Sequence, residues 1–416
     1  MQYRFTAFSI LMITTIHSRA QSINSPYSTY GIGDIEHRYY DKTAGMGNAG
    51  TALMSTGFHL LNKNPASLAG LDRSVFLGNA SITAKTVSYA GNPITSDNNT
   101  GRDLFIKNFS VGIKLNSFWT SGISLMPYSY VNYSYRSKLN IEGSTETYDA
   151  LYEGDGGVYN VSWNNAFNVG KHLALGLRTS VLTGSVNQTE QLQTNYSADP
   201  IETKKKDYYS KFRFEYGAIY MGKLSKNWQY SLGGKFAAKT DLNRERSVTI
   251  TQGSSTIRKE EVIANDNFTL PMTFDLGLAL TSKGRTTYSV DYTYQDWAAD
   301  PVRGTNWSTI NSYRIAAGVQ VSNLVEQWNM KFEKSYVQVG GYFNRSYLRI
   351  NNTPIDEVGA TIGYGGYLGG KMSYGLALEA GQRGTVANNL IKETFVQLSF
   401  RFSFREFLYS KGRKYD

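Results

Sequence analysis

The residues that could do chemistry are few and far apart. Gly45, Gly47 and Gly50 spell G-x-G-x-x-G. In a dinucleotide-binding unit such glycines follow a buried strand and open a helix onto a pyrophosphate. Residues 28–43 supply no such strand, so close packing of backbones explains the glycines better. Asn64 stands directly before Pro65 and Ala66. Asn is a helix cap and Pro suits the first helical position, so the tripeptide predicts a rigid turn. His17 lies in the N-terminal leader, His37 and His59 in a polar N-terminal segment, and His172 at a turn. A hydrolase needs a histidine beside a nucleophile or an activated water. The chain has no G-x-S-x-G and no H-E-x-x-H. It also has no Cys, which removes thiolate metal sites and thiol catalysis. No catalytic residue, metal site or cofactor is expected, and the chain does not read as an enzyme.

The elements that must position these residues begin with an export signal. Arg4, an apolar run over 5–16 and Ser18-Arg19-Ala20 have the order of a secretory signal peptide, so residues 1–20 are read as a leader and Gln21 as the mature start. The run is shorter than the roughly 20 residues that span a bilayer as a helix. No later stretch is long and apolar enough either. Helical spans are therefore excluded, while a membrane β-barrel is not, because its lipid-facing and lumen-facing residues alternate. The mean hydropathy of −0.38 is compatible with such alternation. So are 31 Tyr and 20 Phe set against 8 Pro, since aromatics suit strands and interfacial girdles. The net charge of +10 is dispersed, with Lys204-Lys205-Lys206 the single tight run, so nucleic acid is not an expected partner.

From residue 71 onward, long alternating segments are separated by turn clusters. Phe212, Phe214 and Tyr216 oppose Arg213, Glu215 and Gly217; Val396, Leu398 and Phe400 oppose Gln397, Ser399 and Arg401. The fold class read from this is all-β: a transmembrane antiparallel barrel of about fourteen strands over 71–404, with residues 21–70 as a hatch in its lumen. Expected short turns at 116–120, 169–171, 224–226 and 282–285 alternate with long loops at 90–103, 139–155, 189–206 and 249–266. The connection 322–335 is long where a short turn is expected. A short helix is expected near 44–54. A soluble all-β fold is the alternative, and it would leave many apolar faces to cover. The charges assigned to the lumen are Arg178, Arg213, Glu215, Lys235, Asp275, Asp291, Arg314, Glu357, Glu379 and Arg401. They are read as a paired network that holds the hatch, with a ligand-headgroup role for one cation as the sharper alternative. Pro127 sits mid-strand, where it breaks a ladder bond, and predicts a bulge or an opening in the wall.

Ser25 to Asp34, Gly45 to Gly50 and Asn64-Pro65-Ala66 together resemble the FadL-like outer-membrane transporters (the OmpP1/FadL/TodX type), especially members from Bacteroidetes. The resemblance implies a fourteen-stranded barrel in the bacterial outer membrane and a hatch carrying Asn64, Pro65 and Ala66. It implies passive uptake of hydrophobic, fatty-acid-like compounds past the hatch and out through a lateral gap in the third strand, where Pro127 falls. The partners it implies are outer-membrane lipid, a hydrophobic small-molecule ligand and, during insertion, the barrel-assembly machinery. The tail 405–416 mixes aromatic and basic residues and offers a docking point to a periplasmic or envelope protein. The alternative function is a non-transporting barrel that serves as a subunit or accessory of an envelope or secretion complex.

Overall fold

Alternation of apolar and polar residues leaves each strand of this chain with one face for lipid and one for the interior, and the sheet closes on itself. The computed structural model describes residues 25–73, 75–91, 94, 99–140, 147–193, 199–327, 330–368 and 370–407. The expected leader and the tail beyond Phe407 lie outside these residues. The barrel strands are β1 (Val75–Gly91), β2 (Thr100–Lys114), β3 (Trp119–Asn140), β4 (Thr147–Val169), β5 (Leu173–Gln193) and β6 (Ile201–Lys223). Next come β7, in two pieces (Trp228–Ala237 and Thr240–Gln252), and β8, also in two (Ser255–Leu270 and Thr273–Ser282). The circuit continues with β9 (Thr286–Gln295), β10 (Ser312–Gln327), β11 (Met330–Ile350), β12 (Thr353–Leu368), β13 (Met372–Arg383) and β14 (Ile391–Phe407). All neighbours are antiparallel. β14 pairs with β1 from Phe407 opposite Val75 to Ile391 opposite Gly91, which closes the barrel.

The packing is inverted relative to a soluble protein. On β6, Phe212, Phe214 and Tyr216 are exposed while Arg213 and Glu215 are buried. On β14, Val396, Leu398 and Phe400 are exposed while Gln397, Ser399 and Arg401 are buried. Only a solvent of lipid outside makes that arrangement favourable, because exposed apolar surface costs roughly 25 cal/mol per Å² in water. At the short-turn end, Trp119 stacks on Phe167 and Trp228 on Tyr288, as expected of an interfacial girdle.

Three details differ from the expectations. The 322–335 connection is a continuation of the wall: β10 and β11 stay paired out to Gln327 and Met330, with a register shift after Asn323, so the long loop is a protruding hairpin. The long outer loops are likewise shorter than expected, because β3, β4, β5 and β6 run 21 to 23 residues and keep pairing above the apolar belt. No α-helix forms near 44–54. A 3₁₀ turn spans Lys42–Met46 and is stopped by Gly47 in the left-handed region, at φ 64°. At the other end, β14 continues to Phe407, three residues past the expected end of the barrel, because Phe407 still finds a partner in Val75.

Candidate functional site

The site is the lumen, and what fills it is the N-terminal segment from Ser25 to Leu71. Asn64 caps the 3₁₀ turn Pro65–Gly70 by accepting the Ala66 N–H at 3.0 Å. Its amide donates to the carbonyls of Thr51 at 2.9 Å, Ala218 of β6 at 3.2 Å and Gly234 of β7 at 3.1 Å. Asn64, Pro65 and Ala66 thus form one buried turn bolted to the wall. The wall accommodates it through small residues: a Cβ on Gly217 would lie 2.1 Å from the Asn64 side-chain oxygen. Gly45 is likewise pressed against Gly363, and Gly47 against the carbonyl of Gly341. Gly50 packs on Thr43 within the segment. Among the described residues the strand before these glycines is Asp34–Ile35, two residues long and too short for a nucleotide fold; Gly45 and Gly47 are places where two backbones meet.

The ten lumen charges are all buried. Arg178 pairs with Glu215 at 2.8 Å and Lys235 with Asp275 at 3.0 Å, both between neighbouring strands. Asp291, Arg314, Glu357 and Glu379 turn to the inner segment, while Arg213 and Arg401 bond to other wall residues. One oxygen of Asp291 accepts the Gly50 N–H at 2.7 Å, the Thr51 N–H and hydroxyl at 2.9 Å, and the Lys63 ammonium at 2.8 Å. Arg38 reaches Glu357 at 2.7 Å and Glu379 at 2.6 Å. Arg314 lies 3.7 Å over the Tyr342 ring and donates to Gly47 O. Arg213 donates to Tyr128 and to the Pro271 carbonyl, and Arg401 to Tyr336 and Ser403. A buried charge is tolerable only when paired and hydrogen-bonded, so these contacts fix where the segment can sit.

Sequence reasoning missed the partners. Arg38, Lys63, Glu36 and Lys42 lie in a stretch without alternation, and Glu333 lies in the supposed long turn. Lys42 pairs with Glu333 at 2.6 Å, and Arg383 of β13 pairs with Asp34. Lys107 is buried at a β2 bulge and reaches Glu36 at 3.4 Å. Burial would raise the Glu36 carboxyl, but Lys107 and Arg38 outweigh it and hold the group down at about 2. Burial, helped by Arg314, lowers His37 to about 4, so its ring is neutral at pH 7.

The wall changes at Pro127. β2 and β3 pair from Lys114 opposite Thr120 only as far as Phe109 opposite Leu125. On the other side of β3 the register with β4 shifts between Pro127 and Ser129. Above that point a two-residue inner strand, Asp34–Ile35, pairs with Ser129 and Tyr130. It occupies part of the length over which β3 has lost β2. The cavity behind Pro127 has a volume of about 70 Å³, and Arg178, Arg213, Glu215, Lys235 and Asp275 line it. A larger one, about 190 Å³, lies at the outer mouth among Tyr27, Tyr30, Tyr89, Tyr133 and Tyr135.

A closed fourteen-stranded barrel with an apolar outer belt and an occupied lumen is the fold of FadL-type outer-membrane β-barrels. Solved structures with this fold include a Pseudomonas aeruginosa FadL homologue, with a TM-score of 0.61 and 13% identity over 91% of this chain and 100% of that one. The Pseudomonas putida toluene transporter TodX aligns with a TM-score of 0.59 and 12% identity over 91% and 100%. The Ralstonia pickettii toluene transporter TbuX aligns with a TM-score of 0.57 and 11% identity over 91% and 99%. No curated protein matches the chain. The BamG family model matches residues 1–416, and the chain belongs to the BamG family.

Proposed function

We propose that this protein is a closed outer-membrane barrel that serves as a subunit of an envelope assembly complex, with its hatch acting as a permanent plug. The observation that carries this reading is the way the lumen is filled. The Asn64 and Asp291 contacts and the Arg38 ion pairs tie the hatch to the wall from several directions. The space left behind Pro127 is about 70 Å³ and lined by charge, a poor path for an apolar molecule. The family name points to barrel assembly. The β10–β11 hairpin extends past the Ser322 to Arg285 contact and shows Val325 and Phe332, paired across the strands, as an exposed apolar site beyond the neighbouring turn.

Affinity isolation of the full-length protein from its native membrane in mild detergent tests this. The expected result is stoichiometric envelope partners that survive salt, together with no measurable entry of a fluorescent fatty acid into vesicles carrying the barrel. A solitary barrel that speeds fatty-acid entry overturns the proposal.

One observation favours a second reading, passive uptake of hydrophobic compounds. The loss of β2–β3 pairing above Leu125 and the register shift at Pro127 leave a weak line in the wall, next to the hatch. In that reading the aromatic cavity at the outer mouth receives the ligand, and the hatch must move for it to leave sideways. Uptake that depends on hatch movement is its signature.

A further inference from the structure

We infer that the outer wall beneath the 296–311 loop binds the phosphorylated headgroup of an outer-leaflet glycolipid. The inference needs only the membrane orientation of the barrel and is independent of the plug or channel readings.

The ordering of residues along one outward face is the starting point. On β11, Val337, Val339 and Phe343 are succeeded by Arg345 and, beyond an irregularity at which Tyr347 turns inward, by the exposed Arg349. The valines are exposed, as are Ile315 on β10 and Val358 on β12 beside them. The face therefore passes from acyl-chain surface to guanidinium within a few residues, each about 3.3 Å further from the membrane centre along the strand. Arginines just above an apolar belt sit at headgroup depth.

Above that belt the 296–311 loop overhangs the wall and encloses an open cleft of about 970 Å³. Arg303, Arg345 and Arg349 line it, with Asn306, Asn311 and Asn351. Two acidic groups near the cleft are already neutralised. Asp356 accepts two bonds from Arg345, at 2.9 and 3.0 Å, and Asp300 pairs with Lys239. Arg345 also lies against the Tyr313 ring, 5.3 Å from its centroid, so it is held in place. Arg303 and Arg349 form no ion pair among the described residues and are both exposed. Two unpaired guanidiniums and several amides around one cleft match the fork geometry of phosphate oxygens. Continuity with the acyl-chain surface below selects a lipid-borne phosphate over a soluble one. Three strands further round the wall the arrangement is not repeated: above Val396 on β14 the outward face continues with Thr394 and Lys392.

The test uses the whole protein in nanodiscs of phosphatidylethanolamine doped with a bis-phosphorylated lipid A, or with the same glycolipid after enzymatic dephosphorylation. Retained glycolipid is counted by native mass spectrometry. The phosphorylated form is expected to be retained about tenfold better, and R303Q/R349Q is expected to lose that preference by a similar factor. Lys392→Gln is expected to change nothing. Glucosamine phosphate, which lacks acyl chains, is expected not to compete. Because both arginines are exposed, heat-dependent gel mobility should report an intact barrel in every variant. Equal retention of the two glycolipids, unchanged retention by R303Q/R349Q, an equal loss with Lys392→Gln, or displacement by glucosamine phosphate would each overturn the inference.

Discussion

The two halves of the inner segment are held by different physics. The lower half, Asp41 to Leu71, touches the wall backbone to backbone, through Gly45 against Gly363 and Ala66 against Gly176. Its polar anchors are hydrogen bonds from amides and the Lys63 ammonium to Asp291, the Asn64 amide on wall carbonyls, and one ion pair, Lys42 with Glu333. The upper half, Ser25 to Tyr40, meets the wall backbone along β3 and, away from β3, relies on ion pairs through long side chains, namely Arg38 with Glu357 and Glu379, Glu36 with Lys107, and Asp34 with Arg383. Backbone contacts at a glycine surface have no slack, because atoms there already meet at van der Waals distance. Long-armed ion pairs can break and reform with little movement of the chain. The lower half is thus built as a fixed bolt, and the upper half is the part that could shift, beside the one place where β3 has lost β2.

The comparison is broken most sharply at Asp291. Asp291→Ala leaves the buried Lys63 ammonium and the Gly50 and Thr51 donors without their acceptor. Removing one partner of a buried pair costs about 3–5 kcal/mol, and this change should lower the urea midpoint of the folded barrel more than any other discussed here. A midpoint within error of the parent would mean the lower half is not a bolt. Arg38→Met should come next. It strands Glu357 and Glu379 and costs roughly 3 kcal/mol by the same reasoning, but the loss should appear as faster hydrogen exchange over Ser25–Tyr40, with the 62–70 amides still protected. Equal loosening of both halves would erase the distinction. Asn64→Ala is expected to cost about 1–3 kcal/mol, the penalty for buried carbonyls left without a donor, and to loosen the lower half alone.

Acid should sharpen the contrast from the other side. The His37 ring is lowered from its ordinary 6.5 to about 4, and Glu36 from 4.5 to about 2. In both cases the unfolded chain takes up the proton first, so stability is full above pH 6.5. It then falls as the pH drops, from His37 between 6.5 and about 4 and from Glu36 between 4.5 and about 2. Exchange over Ser25–Tyr40 measured from pH 7 to 4, corrected for intrinsic rates, should rise before that of 62–70. A flat profile would show that neither group reports on docking of the upper half.

How much of this could be read from the sequence follows from which periodicities the chain carries. Strand faces such as Phe212, Phe214 and Tyr216 against Arg213 and Glu215 repeat every two residues, so the barrel and its strand number were legible, and the ten charges assigned to the lumen fall at buried positions. The identity of their partners was not legible. Arg38 and Lys63 lie in a segment with no repeat, and contact with Glu357 and Asp291 spans hundreds of residues. The bulge that turns Lys107 inward also shifts the register by one, which alternation alone conceals. The hairpin beyond Ser322 looked like a loop because the residues from 322 to 335 alternate too weakly to read as strands. The outer loops looked long for the opposite reason: above the belt, strands need no apolar face to keep pairing.

The smallest effect is expected at Pro127, where it bears on why β3 departs from β2. Two causes are available. Proline removes one N–H from the ladder, and the inner strand Asp34–Ile35 occupies Ser129 and Tyr130. Pro127→Val restores the donor while leaving the inner strand in place. If proline is the cause, pairing should extend past Phe109–Leu125, and exchange protection over 126–130 should rise, with a gain near 1 kcal/mol, the net worth of one hydrogen bond. If the inner strand is the cause, Pro127→Val should change nothing until it is combined with Arg38→Met, which frees the upper half. The ion pairs around Asp34 and Glu36 favour the second outcome, because they hold the inner strand against β3 whatever residue stands at 127. The decisive measurement sets Arg38→Met alone beside the double variant: protection over 126–130 that rises in both, and not with Pro127→Val alone, makes the state of the upper half, and not the proline, the determinant of the wall's weak line.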